Sequence, residues 1–297
     1  MNSHISEKTP QSVRIRTGDG LELAASRFPA ANEERVALIN SATGVPRQFY
    51  HRFCAYLAEN SITAYCYDYR GIGDSRPGRL RGFSASMTDW ATRDASAVLD
   101  YLKTAHPGRR ITWIGHSFGG QILGLIPPPA GVDRVLLVGS QLPSYLTYSY
   151  PMRLVVLLFW GVLIPLLTPV FGYFPSRFFG MGESLPAGVA FEWARWGLSR
   201  NYMLDHVGPE NFQPGPSAKA VFFVVRDDLL APLSSIHRLR EALSAMDSST
   251  VDINPADIGQ GAIGHMGIFR KKFKDSLWPR MLAAARLQAP LVASDIL

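Results

Sequence analysis

A serine set between glycines is the residue of this sequence best suited to chemistry. Ser117 lies in the run Gly115-His116-Ser117-Phe118-Gly119, which has the pattern G-x-S-x-G. A short apolar run, residues 111–114, precedes this pattern, and small and apolar residues follow it. In a strand–turn–helix context the pattern holds a serine in a strained turn with its hydroxyl exposed. The sequence therefore predicts a nucleophilic serine at position 117.

A serine hydroxyl is a weak nucleophile at neutral pH, so it needs a basic group that a carboxylate orients. Downstream of Ser117, the histidines that follow a plausible acid are His237 and His265. His237 lies within a helical pattern, whereas His265 lies in a glycine-rich stretch after the last predicted strand. A loop imidazole at that place can reach over the sheet edge. We therefore predict His265 as the general base, and we expect the side chain of His116 to point away from the site.

The acid is expected just after the end of a strand. The loop after residue 138 contains no carboxylate, whereas the loop after residue 225 contains both Asp227 and Asp228. An oxyanion formed during the reaction also needs two N–H donors. The N–H of Phe118 is the first, and the loop of residues 41–44 supplies the second, with Thr43 at the donor position and Ala42 as the alternative.

Apolar β-patterns alternate with amphipathic helical patterns along most of the chain. Strands are predicted at residues 12–16, 21–28, 35–40, 62–67, 111–114, 134–139, 218–225 and 250–254, and helices at 49–58, 87–104, 233–245 and 269–287. This alternation predicts an α/β fold with a mostly parallel, doubly wound sheet. The β/α rhythm stops after the sixth strand. We therefore predict a core domain of residues 1–142 and 216–297 and a helical cap of residues 143–215.

The chain resembles the α/β-hydrolase superfamily over nearly its whole length, and bacterial hydrolases of the serine-aminopeptidase-like and monoglyceride-lipase-like type in particular. The matching runs are residues 68–75, 115–120, 228–232 and 264–267. The resemblance implies an acid four residues before Pro232, which favours Asp228 and leaves Asp227 as a turn residue that caps its own backbone. Those relatives usually have His-Gly before the oxyanion residue, where this chain has Ser41-Ala42.

Composition narrows the range of partners. The 297 residues carry a net charge of +6, with a dense basic run at residues 270–274. No nucleic-acid motif accompanies this run, so we interpret it as the solvated face of a C-terminal helix. Cys54 and Cys66 lie in apolar patterns and indicate core residues. We predict no cofactor, no metal and no nucleic-acid partner. The first eight residues lack a secretory pattern, which predicts a cytoplasmic protein.

One apolar segment, residues 154–176, contains no charged residue and is long enough to span a bilayer. Pro165 and Pro169 interrupt helical hydrogen bonding in its middle, and arginines lie at both ends. A spanning helix would also separate strands that must share one sheet. We therefore predict an apolar lid over the site, which leaves open a transient contact with a membrane surface.

These residues together predict a serine hydrolase that cleaves a carboxylic ester with an apolar acyl or alkyl group. A thioesterase, an amidase or aminopeptidase, and an acyltransferase would use the same Ser-His-Asp set. A non-catalytic binding module on the same scaffold is the alternative from another class, although such modules usually lack one of the three residues.

Overall fold

Strands in this protein are short apolar runs, and most of them are buried on both faces. The computed structural model describes residues 9–259 and 261–286. Its strands are β1 (Gln11–Arg16), β2 (Glu22–Phe28), β3 (Arg35–Asn40), β4 (Ile62–Tyr67), β5 (Ile111–His116), β6 (Val132–Val138), β7 (Tyr173–Phe174), β8 (Leu185–Pro186), β9 (Lys219–Val225) and β10 (Asp247–Ile253). Every residue of β3, β4 and β5 is buried, as expected for the centre of a sheet covered on both faces.

Helices separate most of these strands. They are α1 (His51–Glu59), α2 (Met87–Asp89), α3 (Ser96–Ala105), α4 (Phe118–Gln121), α5 (Met152–Leu158), α6 (Ile164–Phe171), α7 (Ala187–Gly197), α8 (Leu204–Val207), α9 (Leu233–Ala242), α10 (Gly264–Gly267) and α11 (Trp278–Arg286). A π-helical turn, Trp90–Ala95, joins α2 to α3, and a second, Phe159–Leu163, joins α5 to α6.

Over the described residues, eight strands form one sheet in the order β1-β2-β4-β3-β5-β6-β9-β10. The β1–β2 and β2–β4 pairs are antiparallel, and the remaining neighbours are parallel. The carboxyl ends of β3, β5, β6 and β9 therefore meet at one edge of the sheet. Ligands of open α/β sheets bind at this edge. The predicted α/β class, with a mostly parallel doubly wound sheet, is confirmed.

Alternating side chains of the central strands feed two hydrophobic clusters, one on each face of the sheet. Leu38 and Trp113 belong to the cluster under α3 and α9, and their chain neighbours Ile39 and Ile114 belong to the cluster under α1 and α11. This period of two places helices on both faces. The sheet is consequently rigid where its strand ends carry the candidate site.

Three predictions near the carboxyl terminus need correction. The final helix begins at Trp278 rather than near residue 269, and predicted residue 287 lies outside the described residues. The basic run is not the face of that helix, because it contains a separate 3-10 turn, Lys271–Phe273, whose Phe273 is fully buried. Pro279 in the first turn of α11 fits the start of a helix, where a proline costs no hydrogen bond.

His265 lies in the one-turn helix α10 instead of a loop.

The chain between β6 and β9 contains α5–α8 and the two-stranded β7–β8 pair. Residues 152–171 form a continuous helix that is long and apolar enough to cross a membrane. Trp160 and Ile164 on this helix are buried in the same hydrophobic cluster as Trp113. The division of the chain into a core domain and a cap stays a prediction.

Candidate active site

Ser117 occupies the sharp turn between β5 and α4. Its backbone has φ 53° and ψ −116°, a conformation that side chains rarely adopt. The turn is tight because α4 packs directly on the end of β3: a Cβ atom at Gly119 would lie 2.0 Å from the carbonyl oxygen of Asn40. Glycine is therefore required at position 119. The residue after the serine, Phe118, is the first residue of α4, so its N–H has no partner within the helix.

The imidazole of His265 and the carboxylate of Asp228 form a direct pair. The distance from His265 Nδ1 to Asp228 Oδ2 is 2.7 Å, and the side chains are 11% and 2% exposed. The other carboxylate oxygen of Asp228 accepts hydrogen bonds from the backbone N–H of Leu230 at 2.9 Å and of Ala231 at 3.1 Å. Because an ionised carboxylate only accepts, Nδ1 carries the proton and Nε2 is left as the basic nitrogen.

Asp227, the competing acid, serves a different purpose. Its carboxylate oxygens accept hydrogen bonds from the N–H of Ile263 at 2.8 Å and of Gly264 at 3.1 Å. Asp227 therefore does not cap its own backbone, as we expected from the sequence, but anchors the start of α10. Asp228 contacts the imidazole of His265, and Asp227 holds the backbone at the start of α10, the helix that contains His265.

The His265–Asp228 pair packs against Gly139, the residue directly after β6. Its φ is 54°, and a Cβ atom there would lie 3.0 Å from Asp228 Oδ2 and 3.2 Å from His265 Nδ1. The N–H of Ser117 donates to the carbonyl of Val138, the residue before Gly139, at 2.9 Å. The structure thus brings the serine turn, the acid and the imidazole to the ends of neighbouring strands.

His116 is fully buried, and its ring lies under His265 rather than away from the site. Its Nε2 donates to the carbonyl oxygen of His265 at 2.9 Å, and its Nδ1 lies 2.8 Å from the hydroxyl of Tyr50. Since a carbonyl only accepts, His116 is the Nε2–H tautomer and Tyr50 is the donor to Nδ1. Burial lowers the pKa of His116 to about 3, with a smaller contribution from His265. His116 is therefore a neutral support for the backbone of His265.

The same tyrosine reaches the predicted oxyanion loop. The N–H of Ala42 donates to the hydroxyl of Tyr50 at 3.0 Å. This bond occupies the alternative oxyanion donor, and Thr43 stays the predicted one. Ala42, Tyr50, His116 and His265 thus form one chain of hydrogen bonds. Sequence patterns gave no signal for it, because Tyr50 and His265 lie 66 and 149 residues from His116.

The remaining predicted contact is that between the serine and the imidazole. Within the described part of the chain, the Ser117 hydroxyl takes part in no hydrogen bond, and Ser117 is 9% exposed. In structures without a bound substrate, such hydrogen bonds are often long and shorten when the substrate binds. The other candidate base, His237, is exposed on α9.

No group of three or more His, Cys, Asp or Glu side chains among the described residues could hold a metal ion. The arrangement offers base-assisted nucleophilic chemistry instead. An imidazole pinned at Nδ1 by a carboxylate can take a proton at Nε2 from a nearby hydroxyl.

Comparison with known proteins gives a family match over part of the chain and a likeness of fold. Residues 39–167 match the family model described as "Serine aminopeptidase, S33". No curated protein sequence matches the chain. Among solved structures, an esterase from Exiguobacterium antarcticum, EaEST, has a TM-score of 0.60 at 15% identity, over 93% of this chain and 100% of that chain.

Two further solved structures show the range of proteins on this fold. The esterase Pf2001 from Pyrococcus furiosus has a TM-score of 0.59 at 15% identity, over 96% of this chain and 94% of that chain. The bottromycin epimerase BotH has a TM-score of 0.56 at 17% identity, over 93% of this chain and 99% of that chain. At such identities the likeness establishes the fold alone.

Proposed function

We propose that this chain, which matches a serine aminopeptidase family model over residues 39–167 and shares the fold of solved esterases, cleaves carboxylic esters with an apolar acyl or alkyl group through Ser117, His265 and Asp228. The observation that carries the proposal is the 2.7 Å contact between His265 Nδ1 and Asp228 Oδ2, at the strand end next to the strained Ser117. This contact orients an imidazole and leaves its second nitrogen free to act as a base.

In the proposed reaction, Ser117 Oγ attacks the ester carbonyl carbon while its proton moves to Nε2 of His265. The N–H groups of Thr43 and Phe118 stabilise the negative charge on the carbonyl oxygen. The intermediate then breaks its bond to the alcohol oxygen, which takes the proton from Nε2. Water, deprotonated by His265, attacks the acyl-enzyme, and the carboxylic acid leaves as Ser117 regains its proton. Asp228 stabilises the imidazolium at both steps.

An ester is favoured over a peptide because two acids in the middle of the cap, Glu183 and Glu192, are already held by neighbouring groups. Glu183 and Glu192 are the only acids between residues 133 and 205. Glu183 accepts from the N–H of Gly73 at 2.8 Å and pairs with Arg177 at 2.8 Å. Glu192 accepts from both the N–H and the hydroxyl of Thr88, at 2.9 and 2.8 Å. An aminopeptidase would need an acidic residue to bind the ammonium group of its substrate.

The acyl group is proposed to be apolar because most of the buried side chains of residues 152–171 are hydrophobic. Val156, Trp160 and Ile164 lie in the same cluster as Phe118. A wall of this kind binds an uncharged hydrocarbon without leaving polar groups unpaired. We also propose, as predicted from the sequence, that the protein is cytoplasmic.

Hydrolysis of p-nitrophenyl esters, from acetate through palmitate, tests the proposal. Ser117→Ala and His265→Ala are each expected to lower kcat by about a thousandfold or more. Ser12→Ala and His237→Ala are matched controls, because both side chains are exposed and lie outside the site. We expect the controls to retain wild-type rates. Rates that stay the same in Ser117→Ala would refute the proposal.

Thioester and amide substrates of equal chain length distinguish the alternative hydrolase activities. We expect kcat/KM to be higher for the ester than for the matched amide. A folded wild-type protein that turns over none of these substrates would favour a non-catalytic binding module, and transfer of the acyl group to an added alcohol in preference to water would indicate an acyltransferase.

A further inference from the structure

The helix of residues 152–171 is apolar on its outer face as well as on its inner face. Its inner face is formed by Val156, Trp160, Ile164 and Thr168, which are all buried. A surface helix normally places polar residues on the opposite side. Here the opposite side carries an apolar side chain at every fourth position, in the order Leu154, Leu158, Val162, Leu166 and Val170.

These five residues, which we call the outer ridge, are between 41% and 67% exposed. The ridge continues beyond the helix to Phe178, which is 76% exposed and whose ring lies 6.2 Å from that of Phe171. Contiguous apolar surface of this extent is costly in water and is typical of a binding surface. Packing of this helix on the rest of the protein does not require the outer ridge, because the inner face already supplies the buried contacts.

Positive charge frames the outer ridge at both ends. Arg153 is exposed at the start of the helix, next to Leu154. At the other end, the guanidinium of the exposed Arg81 donates to the carbonyl of Val170 at 2.9 Å. The outer ridge therefore combines exposed apolar side chains with flanking arginines, and the surrounding sequence, residues 134–182, contains no acidic residue.

The helix is positioned to lie on a bilayer rather than to cross it. The ring of Trp160 packs against Tyr148 at 6.1 Å and against Trp193 at 6.2 Å. The strands before and after this segment, β6 and β9, are direct neighbours in the sheet. A spanning helix would have to leave these contacts, whereas an interfacial helix keeps its inner face on the protein and buries only the outer face.

We propose that the outer ridge docks the protein onto the surface of an anionic lipid bilayer, with the leucines and valines among the acyl chains and the arginines at the headgroups. Interfacial helices bind through this combination of apolar area and attraction to anionic lipids. A second copy of the chain is disfavoured as the occupant. In a two-fold pair of antiparallel ridges, Arg153 of one copy would approach Arg81 of the other. This inference does not depend on the proposed catalytic residues.

Co-sedimentation of the full chain with vesicles tests the proposal. We expect binding to vesicles of phosphatidylcholine with phosphatidylglycerol, and at least about tenfold weaker binding to phosphatidylcholine alone. The double variant L158E/L166E is expected to lower binding to anionic vesicles by about tenfold or more, since both side chains point outward. T104E/A105E, on exposed positions of α3, makes the same change in net charge and is expected to bind as wild type.

Two parallel measurements keep the test decisive. Hydrolysis of p-nitrophenyl acetate without vesicles should be equal in all three proteins, which shows that the ridge variant is folded; if the wild type is inactive, circular dichroism replaces this control. Light scattering after gel filtration reports self-association. The proposal would be overturned if wild-type protein does not sediment with anionic vesicles, or if L158E/L166E binds them as well as wild type does. It would also be overturned if the wild type is a dimer that binds no vesicles and L158E/L166E is a monomer.

Discussion

Two adjacent aspartates differ in role because adjacent side chains at a turn point in different directions. Asp228 faces His265, and Asp227 faces the backbone at Ile263 and Gly264. The sequence showed both residues in the correct loop after β9 but could not by itself separate them. The spacing to Pro232 favoured Asp228, whereas the anchoring by Asp227 depends on chain 36 and 37 residues away.

The two aspartates are expected to respond differently to replacement by asparagine. Asp228→Asn should lower kcat by about a thousandfold to ten-thousandfold, because an amide favours the wrong tautomer of His265. Asp227→Asn keeps one acceptor oxygen for the backbone of α10, so we expect a loss of about tenfold or less. Steady-state hydrolysis of a soluble ester measures both effects. Inactivation by Asp227→Asn with Asp228→Asn active would show that the acid is wrongly assigned.

At the scale of elements, the serine turn depends on how closely α4 approaches the sheet. The pattern G-x-S-x-G predicts this strand–turn–helix unit from the sequence, since only glycine fits where two backbones meet. The helix is shorter than the pattern suggests, because α4 ends at Gln121 and a 3-10 turn follows. The electrostatic effect of α4 on Ser117 is therefore local, and it comes mainly from the unpartnered N–H groups of the first turn of the helix.

Alanine in place of Gly119 is expected to destabilise the protein by about 3 kcal/mol or more, because the added Cβ would meet the carbonyl of Asn40. Gly161→Ala is the matched control. Gly161 lies in a helical segment where the nearest atom to an added Cβ is 3.9 Å away, so we expect a gain of about 0.5 to 1 kcal/mol. Urea unfolding measures both changes. Equal stability of the two variants would contradict the close packing of α4 on β3.

At the scale of the whole molecule, the sheet order determines which distant residues meet. Apolar runs in the sequence predicted β1–β6 and β9 closely. Parallel pairing then places the carboxyl ends of β3, β5, β6 and β9 at one edge of the sheet. Other features could not be predicted in this way. The hydrogen bonds of His116 with Tyr50 and with His265 join three separate elements.

Burial of neutral His116 makes the stability of the whole fold depend on pH. The unfolded histidine takes up a proton near its ordinary pKa of 6.5, whereas in the folded protein burial lowers the pKa to about 3. Between these values the unfolded state binds more protons, so the free energy of unfolding falls as the pH is lowered. His116→Gln keeps a donor and an acceptor but does not titrate.

We expect wild-type protein to lose about 2 to 3 kcal/mol more than His116→Gln when the pH is lowered from 6.5 to 4.5. Urea unfolding at both pH values gives the comparison, and other titrating groups cancel between the two proteins. The same loss in both proteins would show that His116 is accessible to protons in the folded state.

The central claim is that Ser117 is a nucleophile activated by His265. Reaction with a fluorophosphonate, followed by mass spectrometry of the intact protein and of its peptides, tests it most directly. We expect one covalent adduct on the peptide that contains Ser117, no adduct in Ser117→Ala, and labelling slower by about a thousandfold in His265→Ala. Failure to label the wild-type protein, or equal labelling of Ser117→Ala, would contradict the account.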